Sequence, residues 1–537
     1  MKFKDDQTEQ KLRGGYYTPQ YLSDYITKWV LNSSPLNILE PSCGDGVFIQ
    51  SLANNEYNKN NEINCFELVD SEADKTIKLL KGLDFNNFLV NKGDFLEWAI
   101  KCIGSIKFDA IIGNPPFIRY QYLGEEFQGN SKAIFDQLNL KFTNHTNSWV
   151  PFLLSSLSLL RDKGRIGMVI PSEILNVIHA QPLRDFIADG LYKVLIINPK
   201  NIWFDNTLQG AVIIFIEKVD CKSQSGLSIL NVENDKFIDI NPETLFENAN
   251  YIDFERLQGK WTEAILDENE LDLINRIKAH NSVYKFSDIA TVEVGIVTGA
   301  NEFFLVNDYT VKEYDLYNFS YPMFGKSQHC KGIIYDNNQH IENKENNFPT
   351  NFIYLNDEYE DLPSKVQEYI KEGERKYFHQ RYKCKIRTPW YKVPSVFSSR
   401  IGMLKRSHEA PRLILNKLDA YTTDTAYRIK SNRFSDSTLV CCFLNPFTMI
   451  LSELNGRFYG GGVLELVPSE IRNLYVPIIE KFDFDIEEIN RLVKNGDIED
   501  VIKYNGELIL TALGFSTEDN IKLMSIWNKL KSNRLRR

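Results

Sequence analysis

The sequence predicts an α/β fold, with an open doubly wound sheet in the first half, a mixed α/β second half and a helical tail. Three observations carry this. The run Phe108-Asp109-Ala110-Ile111-Ile112-Gly113 is apolar and stops at Asn114-Pro115-Pro116-Phe117, as a buried parallel strand does when its carboxyl end opens into a rigid loop. Asn37 to Glu40 reads as a short strand feeding a glycine turn, Pro41-Ser42-Cys43-Gly44-Asp45-Gly46, and then a helix from about Val47 to Ala53. That is the opening of a nucleotide-binding sheet. Near Lys285 the pattern changes to short strands, and from Asp483 the chain turns acidic and helical.

In chain order, residues 1–13 form a polar arm. Gly14-Gly15-Tyr16-Tyr17-Thr18-Pro19 leads into a helix over Tyr21 to Leu31, whose apolar residues recur at helical spacing behind a proline suited to a first turn. Ile63 to Glu67 is a second strand ending in a carboxylate, and Gly93-Asp94-Phe95-Leu96 is a third turn. The polar residues 118–145 predict a mobile loop beside a substrate. A helix over Phe152 to Leu160 follows, then a turn and buried strand within Lys163 to Ser172. The β-branched run Ala211 to Ile216 is expected to close the sheet, and the polar text from Cys221 to about Tyr251 reads as a connector. The domains expected are a catalytic domain over 1–250, a linker helix over 251–284, a recognition domain over 285–480 and a helical tail over 481–537.

At 537 residues the chain is too long for one ordinary core. It has no run of about 18 apolar residues and no signal-peptide core, which predicts a cytoplasmic protein. Eight cysteines are scattered without a Cys-x-x-Cys pair, the pattern of reduced thiols rather than a zinc site or disulfide frame, and no metal is expected. The net charge of −10 is unevenly spread. From Lys376 to Lys417 there are eleven Lys or Arg and one acidic residue, Glu409, with aromatic residues interleaved. Such a stretch is the footprint of a phosphate-contacting face, although a solvated surface run would look the same.

The chemistry starts at the Asn-Pro-Pro-Phe turn. Two prolines fix φ and remove two N–H donors, so nearby carbonyls stand out as acceptors beside the Asn114 side chain and an aromatic ring. Acceptors around a ring suit an exocyclic amino group on a planar base. Gly-Asp-Gly falls short of the three-glycine dinucleotide signature, and Glu40 and Asp45 would repel a pyrophosphate. They suit a cofactor with a cationic amino-acid end and no phosphates. Glu67 stands 21 residues after Gly46, the spacing at which an acidic residue grips ribose hydroxyls. Asp94 offers an acceptor for an adenine amino group and Phe95 an apolar neighbour for its ring.

Taken in order, Thr18-Pro19, Leu39 to Gly46, Glu67, Asp94-Phe95 and Asp109 to Phe117 resemble the motifs of S-adenosylmethionine-dependent DNA N6-adenine methyltransferases. Cofactor motifs, then the catalytic tetrapeptide, then a long C-terminal extension is the order of the gamma, or Taq-type, class. The resemblance spans roughly residues 14–220. It implies a Rossmann-like methyltransferase domain with a mixed seven-stranded sheet, a target-recognition domain and the cofactor S-adenosyl-L-methionine. It also implies a bacterial modification enzyme acting on double-stranded DNA as a monomer, with a cognate restriction endonuclease for the same site and no complex with it.

By that resemblance Asn114, Pro115, Pro116 and Phe117 are catalytic, and Phe117 with Phe204 sandwiches the extruded adenine, Trp203 competing for the second place. Cofactor contacts fall on Tyr17, Thr18, Glu40, Ser42, Cys43, Gly44, Asp45, Gly46, Glu67, Asp94, Phe95, Asn114 and Phe152. Phe117 stands where many relatives carry Tyr, so a hydroxyl contact is absent while stacking survives. Val294 to Phe304 resembles the opening of a recognition domain, and Leu454 to Leu464 an element near its end. Gly295, Gly299 and Gly460 to Gly462 would let backbone approach a phosphate, or simply make sharp turns. The DNA-binding candidates are Arg387, Trp390, Lys392, Arg400, Lys405, Arg406 and Arg457. No separate nuclease module is expected. The rival readings are methylation of cytosine N4, RNA or a protein glutamine, and a non-catalytic DNA-specificity protein with a vestigial methyltransferase fold.

Overall fold

A computed structural model describes residues 18–199, 210–257, 259–459 and 462–535. The chain divides into two compact units, one ending at Asp267 and the other spanning Glu268–Leu535. Neither limit coincides with the boundaries that composition suggests at 250, 284 and 480.

The first unit runs α1 (Gln20–Leu31), β1 (Asn37–Glu40), α2 (Val47–Asn54), β2 (Glu62–Glu67), α3 (Asp70–Gly82), β3 (Phe88–Lys92), α4 (Phe95–Cys102) and β4 (Phe108–Gly113). It continues with α5 (Glu125–Gln137), α6 (Trp149–Leu159), β5 (Leu160–Pro171), α7 (Gln181–Asp189), β6 (Tyr192–Pro199), β7 (Ala211–Lys218), β8 (Gly226–Val232) and α8 (Pro242–Glu247). The sheet order is β3-β2-β1-β4-β5-β7-β6-β8. β1 lies parallel between β2 and β4, and β5 is parallel to β4. β7 runs antiparallel between β5 and β6. This is the Rossmann-like sheet the sequence predicts, and every residue of β4 is buried, as its unbroken apolar run requires.

Three expectations are corrected here. The sheet has eight strands rather than seven, because Gly226–Val232, within the supposed connector, pairs parallel with β6 along its whole length. Ala211–Lys218 does not close the sheet but lies inside it. Residues 118–145 are not one mobile loop: α5 fills 125–137 and anchors on Ile134 and Phe135, both fully buried. Its polar composition belongs to the outer face of an amphipathic helix.

The core is closed by close approach. A Cβ on Gly167 of β5 would lie 2.7 Å from Ile26 Cγ2 and 2.9 Å from Val30 Cγ2, so α1 rests directly on the sheet there. Trp29 of α1 stacks on Phe215 of β7 at 4.4 Å, and its ring lies 4.8 Å from Phe246 of α8. The second half of the supposed connector is therefore core.

The second unit holds a five-stranded sheet, ordered 290–294, 426–431, 401–404, 413–416 and 334–335, with two three-stranded sheets beside it. The helices Ile486–Asn495, Ile498–Ala512 and Thr517–Leu535 belong to this unit rather than forming a separate tail. Thr517–Leu535 packs on Pro446–Asn455, buries Trp527 completely and pairs Arg534 with Glu453 at 2.8 and 2.9 Å.

Candidate functional site

The site is built at the carboxyl ends of β1, β2 and β4, where an open α/β sheet puts its chemistry. The turn after β1 needs glycine at two places. Gly44 has φ +52° and Gly46 φ +93°, and a Cβ on Gly46 would sit 2.8 Å from Leu79 Cδ2. Glu67, at the end of β2, fixes this turn: its Oε2 accepts from Gly44 N at 2.9 Å and its Oε1 from Val69 N at 2.9 Å. Thr76 donates to Gly44 O at 2.8 Å, and Cys43 N donates to Phe66 O at 2.9 Å.

Glu40 sits behind that turn. It is buried, and neither carboxylate oxygen has a hydrogen-bond partner among the described residues. Burial, reinforced by Cys43, Glu67 and Asp45, pushes its carboxyl well above the ordinary value. Burial and Glu72 also push Asp45 up. A buried carboxylate without a partner is costly unless a cation or donor arrives. The amino-acid end of S-adenosyl-L-methionine carries such a cation, so these residues fit that cofactor.

At the next turn Asp94 caps α4, its Oδ1 accepting from Leu96 N at 2.7 Å and its Oδ2 from Asn130 Nδ2 at 3.2 Å. Phe95 and Phe152 are both buried, with ring centroids 5.3 Å apart. The structure thus brings the two predicted adenine-side rings together.

Asn114 is held from both sides. Its Nδ2 donates to Thr18 Oγ1 at 3.1 Å, and its carbonyl accepts from Ser42 Oγ at 3.1 Å. The first bond holds the side-chain amide and the second the backbone carbonyl. Downstream, the Ser148 hydroxyl donates to Pro116 O and accepts from Ile118 N at 2.8 Å. Asn147 Oδ1 accepts from Tyr120 N at 3.0 Å, and Asn147 Nδ2 donates to Glu173 Oε2 at 2.9 Å. Phe117 and Pro115 are buried in this clamp. Sequence reasoning missed Asn147, Ser148 and Glu173. The available signal was a capping-type residue before an apolar helix, but Ser148 makes no side-chain cap and spends its hydroxyl on the preceding loop.

Tyr17, Trp203 and Phe204 lie outside the described residues, as do Gly460 and Gly461. The remaining second-unit candidates are mostly engaged internally. Arg387 donates to Thr298 O at 2.7 Å and Val297 O at 2.6 Å. Trp390 packs 4.7 Å from Phe303 and donates to Glu374 at 3.2 Å. Lys392 pairs with Glu358 at 2.7 Å, Lys405 and Arg406 with Glu465 at 3.3 and 2.7 Å, and Arg457 with Glu470 at 2.9 Å. Arg400 differs, with its nearest carboxylates, Asp436 and Asp419, at 3.8 and 3.9 Å. The glycines serve close packing within the chain. A Cβ on Gly295 would fall 2.1 Å from Thr423 O, one on Gly299 2.5 Å from Lys383 Cβ, and one on Gly462 2.9 Å from Leu535 Cδ2.

Comparison with known proteins agrees with this site. A family model described as Eco57I restriction-modification methylase matches residues 26–203. Another, for the C-terminal domain of type II methyltransferase M.Eco57I, matches residues 258–510. Type II methyltransferase M.AccI of Acinetobacter calcoaceticus is 24% identical over 532 residues, 95% of this chain and 94% of its own. Type II methyltransferase M.BstVI of Geobacillus stearothermophilus is 28% identical over 250 residues, 40% of this chain and 43% of its own. Among solved structures, the type IIG restriction endonuclease BpuSI aligns with 97% of this chain and 66% of its own at 14% identity, with a TM-score of 0.43. An Asn-Pro-Pro-Phe turn beside the acidic glycine loop and two family matches along the chain lead to one conclusion: the chain is similar in both halves to type II restriction-modification methyltransferases and is a DNA methyltransferase that uses S-adenosyl-L-methionine.

Proposed function

We propose that this DNA methyltransferase is a gamma-class, adenine-specific enzyme that flips one adenine out of a duplex, methylates its N6 and protects host DNA from a cognate endonuclease. The observation that carries the reading is the hold on Asn114, whose side-chain amide donates to Thr18 and whose backbone carbonyl accepts from Ser42, fixing the residue at the head of the Pro-Pro turn. An N6 amino group has two N–H bonds to give, and its lone pair is conjugated into the ring. Acceptance by Asn114 Oδ1 and Pro115 O favours a tetrahedral nitrogen and stabilises the positive charge that develops in transfer.

Bound between Glu40, Glu67 and Asp94, S-adenosyl-L-methionine supplies an electrophilic methyl group. Glu40 holds the cationic end, the spare lone pairs of Glu67 hold ribose hydroxyls, and Asp94 accepts from the adenine amino group over Phe95 and Phe152. Phe117 supports the flipped base, and extrusion costs a few kcal/mol that stacking offsets at about 1–3 kcal/mol per base. The nitrogen sheds its proton after attack, so no base is needed to activate it.

The test is transfer of labelled methyl to unmodified DNA followed by nucleoside analysis. N6-methyladenine is the expected product; N4-methylcytosine as the only product would overturn the reading. Mapping methylated positions in DNA from expressing cells then gives the recognition site.

A further inference from the structure

A cavity of about 520 Å³ lies within the second unit, and its lining includes Phe397, Arg400, Arg428, Lys430, Glu293 and Asp436. Phe397 is 44% exposed, yet it is rigidly held. The Arg428 guanidinium lies 3.4 Å from the centroid of its ring, and the same group donates to Phe397 O at 3.3 Å, Ser395 O at 3.1 Å and Val294 O at 2.9 Å. One arginine thus fixes both one face of the ring and the backbone that carries it. A partly exposed ring backed by a cation and lining a cavity can act as a stacking platform.

The cations at this cavity differ from their neighbours. Arg387, Lys392, Lys405, Arg406 and Arg457 are spent on internal acceptors 2.6–3.3 Å away. Arg400 has no carboxylate closer than 3.8 Å among the described residues, and Lys430 is exposed with none within ion-pair distance among them. The cavity therefore combines two loosely held cations, a partly exposed aromatic ring and two carboxylates, Glu293 beside Arg428 and Asp436 beside Arg400. Phosphate, planar ring and exocyclic amino group are the three features that such a set recognises together.

We infer that this cavity takes one nucleotide of the bound DNA, with its base on Phe397, its phosphate on Arg400 and Lys430, and its amino group on Asp436. A base within an intact stack cannot present a face to Phe397, so this nucleotide is displaced from the helix in addition to the one that is methylated. The inference rests on the chain binding DNA and is independent of which atom receives the methyl group.

The experiment uses the full chain and a fluorescein-labelled duplex carrying the site found by methylation mapping. Phe397→Leu is expected to weaken binding about tenfold or more, because it keeps the apolar volume and loses the ring. Arg400→Gln is expected to weaken it and to lower the slope of log K against log salt by about 1. A 2-aminopurine scan along the duplex should find one bright position that dims in Phe397→Leu, distinct from the methylated position, which stays bright. Wild-type affinity and salt slope in both variants, with cofactor binding intact, would overturn the inference. So would millimolar dAMP binding that depends on Phe397 and does not compete with the duplex, since the cavity would then serve a free nucleotide. A product other than N6-methyladenine bears on the reaction and leaves this result untouched.

Discussion

Two buried glutamates, one in each unit, are treated in opposite ways. Glu40 has no partner for either oxygen among the described residues, whereas both oxygens of Glu453 accept from Arg534 at 2.8 and 2.9 Å. Burial pushes both carboxyls up, but in Glu453 the guanidinium pulls the other way, while around Glu40 the neighbouring groups all push in the same direction. The lesson is about partners rather than residue types. A buried charge completed by its own chain is architecture, and one left incomplete is addressed to a ligand. The same rule separates Arg387, bound to its own backbone, from Arg400 at the cavity.

The comparison breaks most visibly at Arg534. Replacing it by alanine leaves Glu453 buried and unpaired, and the second unit should lose about 3–5 kcal/mol in denaturant unfolding. A loss below about 1 kcal/mol would remove Glu453 from the architectural side. In the first unit, Asn114→Ala should cost about 10²–10³-fold in kcat, with cofactor affinity preserved. Near wild-type transfer would refute its role.

Glu40→Gln sharpens the contrast through pH. The folded chain holds a proton on Glu40 that the unfolded chain has already lost, because its folded value lies above the ordinary 4.5. Cofactor-free stability contributed by this group is therefore full below that ordinary value and lost as pH rises through the folded one. Cofactor affinity should rise over the same interval, since the cation needs the carboxylate. Both slopes should vanish in Glu40→Gln, measured by melting and by calorimetric titration. The smallest effect belongs to Lys392→Ala, whose ion pair with Glu358 is half open to solvent and should be worth less than about 1 kcal/mol.

The sequence made β1, β2, β4, the second half of β5 and β7 legible because each carries a short apolar run next to a turn or an aromatic segment of marked composition. By contrast β3, Phe88–Lys92 with no buried residue, was visible only through the turn that follows it. β6 and β8 were not, since Tyr192–Pro199 carries no flanking motif and Gly226–Val232 is buried at only four of its seven positions. The carboxylates of the site were found from their order, and what they touch was not. Glu67 and Asp94 spend oxygens on backbone N–H groups that no spacing announces. The basic stretch shows the same gap, because composition counts cations without showing the carboxylates that meet them. Glu465, which pairs with both Lys405 and Arg406, lies some sixty residues away.

The clamp built by Ser148 also has a kinetic consequence. It ties the loop after β4 to the start of α6, and Asn147 carries the tie onward to Glu173 beyond β5. The amide protons of Ile118 and Tyr120 are closed by these side chains, so they should exchange with solvent on the slow timescale of sheet opening rather than at the fast rate of a surface loop. The Asn-Pro-Pro-Phe turn would then breathe only when the domain does, and capture of a base there would depend on motion of the DNA against a nearly static receptor.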